Sequence, residues 1–308
     1  MKQIKSIEYR TLSNGVEIPS IGFGTDRTFI FLRKNIIKGA IDLLKDLTIE
    51  KRYHLKRDIS ITKILNHASA CSCSLFDTAS AYGNSERILG HVLKKYKRED
   101  LFVITKLSNQ EQRCFDVEKA VKHSLKRLQT DYIDLYLMHW PQTDTYIQNW
   151  CQMEQIYNRG YARAIGVCNF QIHHLEELKK HSCVTPMVNQ VECHPLFSQK
   201  DLLTYCKNNR IQFMAYTPTG RMNQMIINNP DLQRIASFYH KSLAQVILRW
   251  HIQNGIIPIV NTTKLEHLKD NMNIFDFSLS SEDILTIDKM NINKRLRYDP
   301  DLVDFSKC

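Results

Sequence analysis

Short apolar segments alternate with amphipathic helical segments along most of the chain, and this alternation restricts the possible fold more than any other feature. The apolar segments are nearly continuous, which is typical of parallel strands buried on both faces. Each of eight predicted strands is followed by a predicted helix, and eight such units favour a closed barrel over an open sheet. The predicted strands cover residues 20–25, 73–78, 101–107, 133–139, 162–168, 187–193, 211–217 and 256–261.

These units predict an α/β chain with the (β/α)8 TIM-barrel fold, and we interpret all 308 residues as one domain. An N-terminal β-hairpin is predicted over residues 7–18, because Asn14-Gly15 is a favoured turn pair. The C-terminal tail, residues 280–308, begins as a helix and is expected to pack outside or across the barrel. The predicted barrel helices cover residues 34–45, 85–96, 115–129, 146–159, 171–180, 198–209 and 242–254, and a last one begins near Lys264.

One stretch, residues 48–70, breaks this rhythm where a short connection is expected. It is rich in Lys, Arg and His, and it joins the first helix to the second strand, on the barrel face opposite an active site. We interpret it as a solvated insertion in which residues 61–68 could form a helical turn or two.

Composition excludes several classes of protein. The chain contains no apolar run of about 18 residues and no apolar N-terminal stretch, so neither a membrane span nor a signal peptide is expected, and a cytoplasmic protein is predicted. Nine scattered cysteines suggest reduced, mostly buried thiols. The net charge of +10 comes from dispersed residues, so we expect no nucleic-acid partner, whereas phosphorylated small molecules would suit it.

Polar residues stand at the carboxyl ends of the predicted strands, where barrel enzymes carry their active sites. Asp77, Lys106 and His139 end three successive strands, and Tyr82 lies on the loop after the first of them. The other strand ends carry Thr25, Cys168, Asn169, Gln190, Tyr216 and Asn261.

This set predicts a proton donor. A phenol has a pKa near ~10 and is a poor acid at neutral pH unless its surroundings change it. Lys106 and Asp77 are expected to pair, because an isolated buried charge is costly. The Lys106 cation would then lower the pKa of Tyr82, and His139 could donate a hydrogen bond to a carbonyl oxygen. No metal site is expected.

The chain resembles the aldo-keto reductase family over nearly its whole length. The resemblance implies that Asp77, Tyr82, Lys106 and His139 form the catalytic tetrad of a (β/α)8 barrel. It also implies that NADPH binds in an extended form and that a carbonyl is reduced to an alcohol; no GxGxxG follows a strand, which counts against a Rossmann site. The matching segments are LSNGVEIPSIGFGT (12–25), FDTASAYGNSERILG (76–90), ITKL (104–107), LMHWP (137–141), RAIGVCNF (163–170), NQVECHP (189–195) and FSLSSED (277–283).

The same resemblance implies a set of binding residues. Asn169 and Gln190 would hold the nicotinamide carboxamide, with Cys168 where the family usually has serine, and Tyr216 would stack on the ring. The eighth strand and the following helix N-terminus would bind the phosphates and adenine. Asp26 and Trp140 would border the substrate pocket. The full cofactor set is Gly24, Thr25, Cys168, Asn169, Gln190, Tyr216, Thr217, Asn261, Thr262, His267, Asp270 and Asn271.

Departures from the family pattern leave the choice of cofactor and substrate open. Asn261 replaces a lysine and His267 an arginine that would grip the 2′-phosphate, although Lys264 is nearby. NADP(H) is the first expectation, with NAD(H) or dual use as alternatives. Short loops after the fourth and seventh strands, together with Asp26 at the mouth, predict an open site for a sugar, keto acid or other polar carbonyl.

A second hypothesis is a cofactor-binding barrel retained as a regulatory or interaction subunit with little turnover. The intact tetrad argues against it, whereas the replaced phosphate-binding cations and the short loops favour it. In either case we expect a small-molecule ligand, no membrane contact, and a monomer or weak homo-oligomer.

Overall fold

A computed structural model describes residues 7–26, 62–68 and 71–304. Eight parallel strands form a closed barrel, which confirms the predicted TIM-barrel fold. An antiparallel hairpin of β1 (Tyr9–Thr11) and β2 (Glu17–Pro19) precedes the barrel. The barrel strands are β3 (Gly22–Gly24), β4 (Leu75–Asp77), β5 (Phe102–Leu107), β6 (Ile133–Met138), β7 (Ala162–Cys168), β8 (Val188–Glu192), β9 (Gln212–Tyr216) and β10 (Ile257–Val260).

The strands are buried on both faces, which explains their continuous apolar sequences. Every residue of β5 and β6 is buried. Register places Asp77 beside Ile104 and Lys106 beside Leu137, so the polar ends of β4 to β6 meet at one edge. Helices cover the outside of this sheet. The carboxyl ends of the strands are therefore left to form the site.

The helices begin at capping residues that the sequence supplies. Ser108 and Ser242 form capping boxes with Glu111 and Gln245, and Asn229 caps a helix that starts with Pro230. The helices are α1 (described over 62–68), α2 (Ser85–Leu93), α3 (Asn109–Arg113), α4 (Val117–Leu128), α5 (Tyr146–Asn158), α6 (Ile172–His181), α7 (Lys200–Asn208), α8 (Gln224–Ile227), α9 (Pro230–Phe238), α10 (Leu243–Gln253), α11 (Leu265–Met272) and α12 (Ser281–Asp288).

Three of these helices differ from the sequence prediction. The predicted helix 115–129 forms as α4, and α3 is an additional helix before it, which the Ser108–Glu111 capping box starts. The seventh strand is not followed directly by helix 242–254, because α8 and α9 intervene. The predicted helix 34–45 lies outside the described residues.

The N-terminal hairpin lies at the barrel face opposite the predicted site. Gly15 has a φ of +86° in the turn, and Leu12 and Val16 close the loop through a backbone hydrogen bond of 2.9 Å, as the Asn-Gly pair predicts. Arg10 donates to the carbonyl of Ile252 (2.7 Å), near the end of α10. Since α10 leads into the start of β10, the hairpin packs beneath the barrel.

Part of the insertion packs on the barrel. Residues 62–68 are helical, which agrees with the predicted helical turns. Ile64, Leu65 and Ala68 are buried, so the prediction of a solvated segment is wrong for this part. Their spacing places all three on one helix face, which removes them from water. The remainder, residues 48–61 and 69–70, lies outside the described residues.

The described cysteines are all free, and most of them are buried, as expected. Within residues 7–26, 62–68 and 71–304, no helix is both long enough and apolar enough to span a membrane.

Candidate active site

A cavity of about 1360 Å³ opens at the carboxyl ends of the barrel strands. This volume exceeds the ~300–1,000 Å³ of most small-molecule sites, so a nucleotide and a second small molecule could share it. All the predicted site residues line it except Thr25 and Lys106, which lie just behind its wall. The lining ones are Gly24, Asp26, Asp77, Tyr82, His139, Trp140, Cys168, Asn169, Gln190, Tyr216, Thr217, Asn261, Thr262, His267, Asp270 and Asn271.

Asp77 and Lys106 form a buried ion pair at the ends of β4 and β5. The Nζ atom of Lys106 lies 2.6 Å from Oδ1 of Asp77 and 3.0 Å from the carbonyl oxygen of Thr78. The amide of Gln190 donates to the other oxygen of Asp77 (2.8 Å). Thr25 donates to the backbone carbonyl of Asp77 through its N–H (2.9 Å) and its hydroxyl (3.1 Å), so it supports the pair from behind.

Tyr82 and His139 face each other beside this pair. Their ring centroids are 5.6 Å apart and the rings are inclined at 75°. The ammonium of Lys106 lies 5.1 Å from the centroid of the Tyr82 ring. The structure therefore brings all four predicted tetrad residues together at one end of the cavity.

The protonation of Tyr82 differs from the sequence prediction. Removal from bulk water, followed by the charges of Asp26 and Asp77, raises the pKa of Tyr82 well above its usual value. The prediction that Lys106 lowers the pKa of this phenol is wrong for the structure as it stands. The physical reason is that desolvation of the phenol, together with the negative charges of Asp26 and Asp77, outweighs any lowering of the pKa by the Lys106 cation. Tyr82 thus keeps its proton at neutral pH.

His139 is a neutral ring under physiological conditions. Burial among the strand ends, followed by the positive charge of Lys106, lowers the pKa of His139 to about 3. A neutral imidazole has one N–H donor and one acceptor nitrogen. His139 can therefore donate one hydrogen bond without carrying a charge.

Asn169, Gln190 and Tyr216 form a polar wall next to the tetrad. The hydroxyl of Tyr216 donates to Oδ1 of Asn169 (2.6 Å), whose amide donates to the carbonyl of His139 (3.0 Å). Asn169 and Thr217 have φ values of +65° and +54°; asparagine tolerates this left-handed conformation, whereas it is strained for the β-branched Thr217. Cys168 is buried beside them, and burial raises the pKa of its thiol. These groups present amide donors and acceptors and an aromatic ring to the cavity.

The far end of the cavity is formed by β10 and the N-terminal part of α11. The hydroxyl of Thr262 accepts a hydrogen bond from the N–H of Lys264 (3.1 Å) where this helix begins. Asn261 donates from its side chain to the backbone carbonyl of Asp26, which joins the ends of β10 and β3. His267, Asp270 and Asn271 line this end, whereas Lys264 is not among the lining residues.

Several lining residues were not predicted from the sequence. Glu111 accepts hydrogen bonds from the hydroxyls of Ser80 (2.5 Å) and Ser108 (2.8 Å) on one side of the cavity. Arg297 and Tyr298 reach the cavity from the C-terminal tail, which crosses the barrel mouth, one of the two expected placements. No local motif marks the tail residues, because their position depends on tertiary contacts. The other unpredicted residues are Ala81, Asn109, Gln110, Arg127, Pro218, Thr219, Arg221, Met222, Ser242, Leu243, Ala244, Ile259 and Val260.

Comparison with known proteins agrees with this geometry. The family model described as "Aldo/keto reductase family" matches residues 56–292. The chain is 45% identical over 226 residues to glyoxal reductase of Bacillus subtilis (strain 168). This alignment covers 73% of this chain and 81% of the relative. It is 38% identical over 301 residues to the uncharacterized oxidoreductase YtbE of the same organism. That alignment covers 96% of this chain and 97% of the relative.

The chain belongs to the aldo/keto reductase family. It is therefore an NAD(P)H-dependent oxidoreductase, as the resemblance implied. Among solved structures, the aldo-keto reductase AKR2E5 of the silkworm Bombyx mori, complexed with NADPH, superposes with a TM-score of 0.79 at 30% identity. The superposition covers 94% of this chain and 89% of the silkworm enzyme.

Proposed function

We propose that this aldo-keto reductase uses NADP(H) to reduce small polar aldehydes and ketones to alcohols. One observation carries the proposal: the protonated phenol of Tyr82 and the neutral ring of His139 face one cavity beside the buried Asp77–Lys106 pair. A carbonyl oxygen placed between the two rings could accept a hydrogen bond from each of them.

The cofactor requirement is supported by the residues of the cavity wall. Asn169 and Gln190 offer amide groups that complement a carboxamide, and the ring of Tyr216 offers a stacking surface. At the far end, Thr262 and the first N–H groups of α11 could bind a phosphate. When bound, NADPH supplies a hydride to the carbonyl carbon.

The proton would come from the protein. Tyr82 transfers its phenolic proton to the carbonyl oxygen, to which His139 donates one N–H. The transfer leaves a phenolate, and the ammonium of Lys106, 5.1 Å from the ring centroid, stabilises that negative charge. Asp77 and the carbonyl of Thr78 hold this ammonium in place. Lys106 therefore stabilises the phenolate of Tyr82, which is the product of the proton transfer.

The class of substrate is suggested by the relatives and by the mouth of the cavity. Glyoxal reductase, the relative of 45% identity, is named for a small and strongly polar dicarbonyl. Asp26 and Trp140 line the cavity here, which gives it polar and aromatic surface. We therefore expect short, hydrophilic carbonyl compounds to be better substrates than long alkyl aldehydes.

Incubating the purified chain with NADPH and glyoxal tests the proposal directly. Loss of NADPH absorbance that requires both the protein and glyoxal is the expected result. The competing hypothesis, a barrel retained for binding or regulation, predicts quenching of the protein fluorescence by NADPH without turnover of glyoxal or any short aldehyde. The cytoplasmic location and the monomeric or weakly oligomeric state stay predictions.

A further inference from the structure

The C-terminal tail is anchored over the cavity by a buried carboxylate. Glu192, at the end of β8, accepts hydrogen bonds from the backbone N–H groups of Leu296 (2.6 Å) and Arg297 (3.0 Å). The ring of His194 lies 3.0 Å from the same carboxylate, and both residues are fully buried. This anchor is part of the barrel, so it fixes where the Arg297 side chain enters the cavity.

Arg297 and Asp26 face each other across the mouth of the cavity. Their side chains are 18% and 28% exposed, and one guanidinium nitrogen lies 3.4 Å from a carboxylate oxygen. Charge-assisted hydrogen bonds of this kind are usually ~2.7–2.9 Å long, and partly exposed ion pairs are weak. The contact is therefore loose enough for another carboxylate to compete with Asp26.

Two other cations near the tetrad are held by carboxylates. Lys106 is 2.6 Å from Asp77. Arg127 contacts Glu86 directly and lies 3.7 Å from Glu111. The positive charge of Arg297 lowers the pKa values of both Tyr82 and His139, although burial and other charges outweigh it at Tyr82. Arg297 lines the same cavity as Tyr82 and His139, the two groups that would surround a reacting carbonyl.

We propose that Arg297 binds a carboxylate group on the substrate, so that the enzyme prefers aldehydes and ketones that carry a carboxylate near the carbonyl. The inference rests on the proposed carbonyl reduction and specifies its substrate class. The planar guanidinium can hold a carboxylate through two parallel hydrogen bonds. Asp26 neutralises Arg297 while the cavity holds no anion, and it yields to the carboxylate of the substrate.

Two aldehydes that differ only at the distal end test this assignment. Butanal ends in a methyl group where 4-oxobutanoate has a carboxylate, and the measured quantity is the ratio of their kcat/KM values at saturating NADPH. The wild-type ratio is expected to favour 4-oxobutanoate. In Arg297→Met this ratio falls about ten- to hundredfold, which is the range for the loss of a charged hydrogen bond. Arg297→Lys keeps the positive charge but cannot make two parallel hydrogen bonds to a carboxylate. Its ratio is expected to lie between those of Arg297→Met and the wild type.

The matched control is Arg221→Met, which removes another cavity-lining guanidinium. The ratio is expected to stay the same in this variant, because Arg297 is the guanidinium that lies opposite Asp26 at the mouth. Asp26→Asn removes the competing carboxylate and should raise the ratio. Circular dichroism and thermal melting establish that each variant is folded before its ratio is interpreted.

The outcomes separate this inference from the function on which it rests. If the wild type reduces neither these two aldehydes nor glyoxal, both ideas are wrong; if it reduces glyoxal but neither of the two, carbonyl reduction stands and the carboxylate site is overturned. If butanal is reduced and 4-oxobutanoate is no better, or if folded Arg297→Met and Arg297→Lys keep the wild-type ratio, carbonyl reduction stands and the carboxylate site is overturned. An equal fall in Arg221→Met would attribute the preference to the overall charge of the cavity, and would also overturn it.

Discussion

Tyr82 combines two properties that a proton donor needs at different moments. Before reaction, desolvation and nearby carboxylates raise the pKa of the phenol, which keeps the proton in place. After transfer, the cation of Lys106 is close enough to stabilise the phenolate. The sequence indicates only the second property, because burial of the phenol depends on how the loop folds over the strand ends.

Replacing Tyr82 with phenylalanine removes the proposed proton and little else. We expect kcat for glyoxal to fall by at least about 10²-fold, the range for loss of a general acid. Binding of NADPH, followed by fluorescence, should change little because the ring is kept. Tyr205→Phe is the matched control, since that hydroxyl hydrogen-bonds Glu176 at the surface. Wild-type turnover in Tyr82→Phe would remove this phenol from the mechanism.

Lys106→Met is expected to abolish turnover and also to destabilise the fold. Asp77 would become a buried charge without its cation, and breaking a buried pair in this way costs about 3–5 kcal/mol of unfolding free energy. Urea denaturation of Lys106→Met measures this loss. The double variant Lys106→Met, Asp77→Asn should recover much of the stability without recovering activity. A single variant as stable as the wild type would contradict the buried pairing.

At the scale of elements, the predictable parts are those specified by local pattern. Continuous apolar strands with polar last residues are enough to place Asp77, Lys106 and His139 at one edge of the barrel, because parallel strands end on the same side. The tail cannot be placed in this way, because contacts with residues far away in sequence, such as the hydrogen bonds to Glu192, hold Arg297 at the cavity. Helix α9 is predictable in principle, since Asn229-Pro230 is a strong start signal.

The end of the cavity formed by β10 and α11 is where we expect the enzyme to distinguish its cofactors. Asn261 and His267 line the cavity there, and neither is a permanent cation. Each charge-assisted contact contributes about 1.5–3 kcal/mol, so we expect the ratio of NADPH to NADH affinities to lie below about 100. Asn261→Lys with His267→Arg should raise that ratio at least about tenfold, measured by fluorescence titration with both nucleotides.

A control on the same helix makes the cofactor test specific. Lys269→Met removes a surface charge that does not line the cavity, and it should leave the ratio unchanged. Wild-type affinity for NADPH more than about 100-fold above that for NADH would contradict the argument. Such a preference would mean that a cation other than residues 261 and 267 recognises the 2′-phosphate.

For the whole molecule, acid stability depends on histidines that the fold keeps neutral. Burial lowers the pKa values of His251 and His139 to about 3 and that of His174 to about 4, from a usual value of 6.5. In the unfolded chain these rings take up protons near pH 6.5, whereas in the folded chain they do not. Their contribution is therefore fully present above pH ~6.5 and is lost as pH falls toward the folded values.

This linkage predicts that the free energy of unfolding decreases between pH 7.5 and pH 5.5, with each histidine contributing up to ~1.4 kcal/mol per pH unit in the acid part of that range. Substituting His251 measures the contribution of a single histidine to this pH dependence. Its ring is fully buried and lies 2.9 Å from the carbonyl oxygen of Pro218. A glutamine in its place can donate to the same carbonyl but does not titrate. Urea denaturation at both pH values should therefore show a shallower pH dependence in His251→Gln than in the wild type. An unchanged slope would mean that His251 is protonated in the folded protein, or that the acid sensitivity arises from other groups.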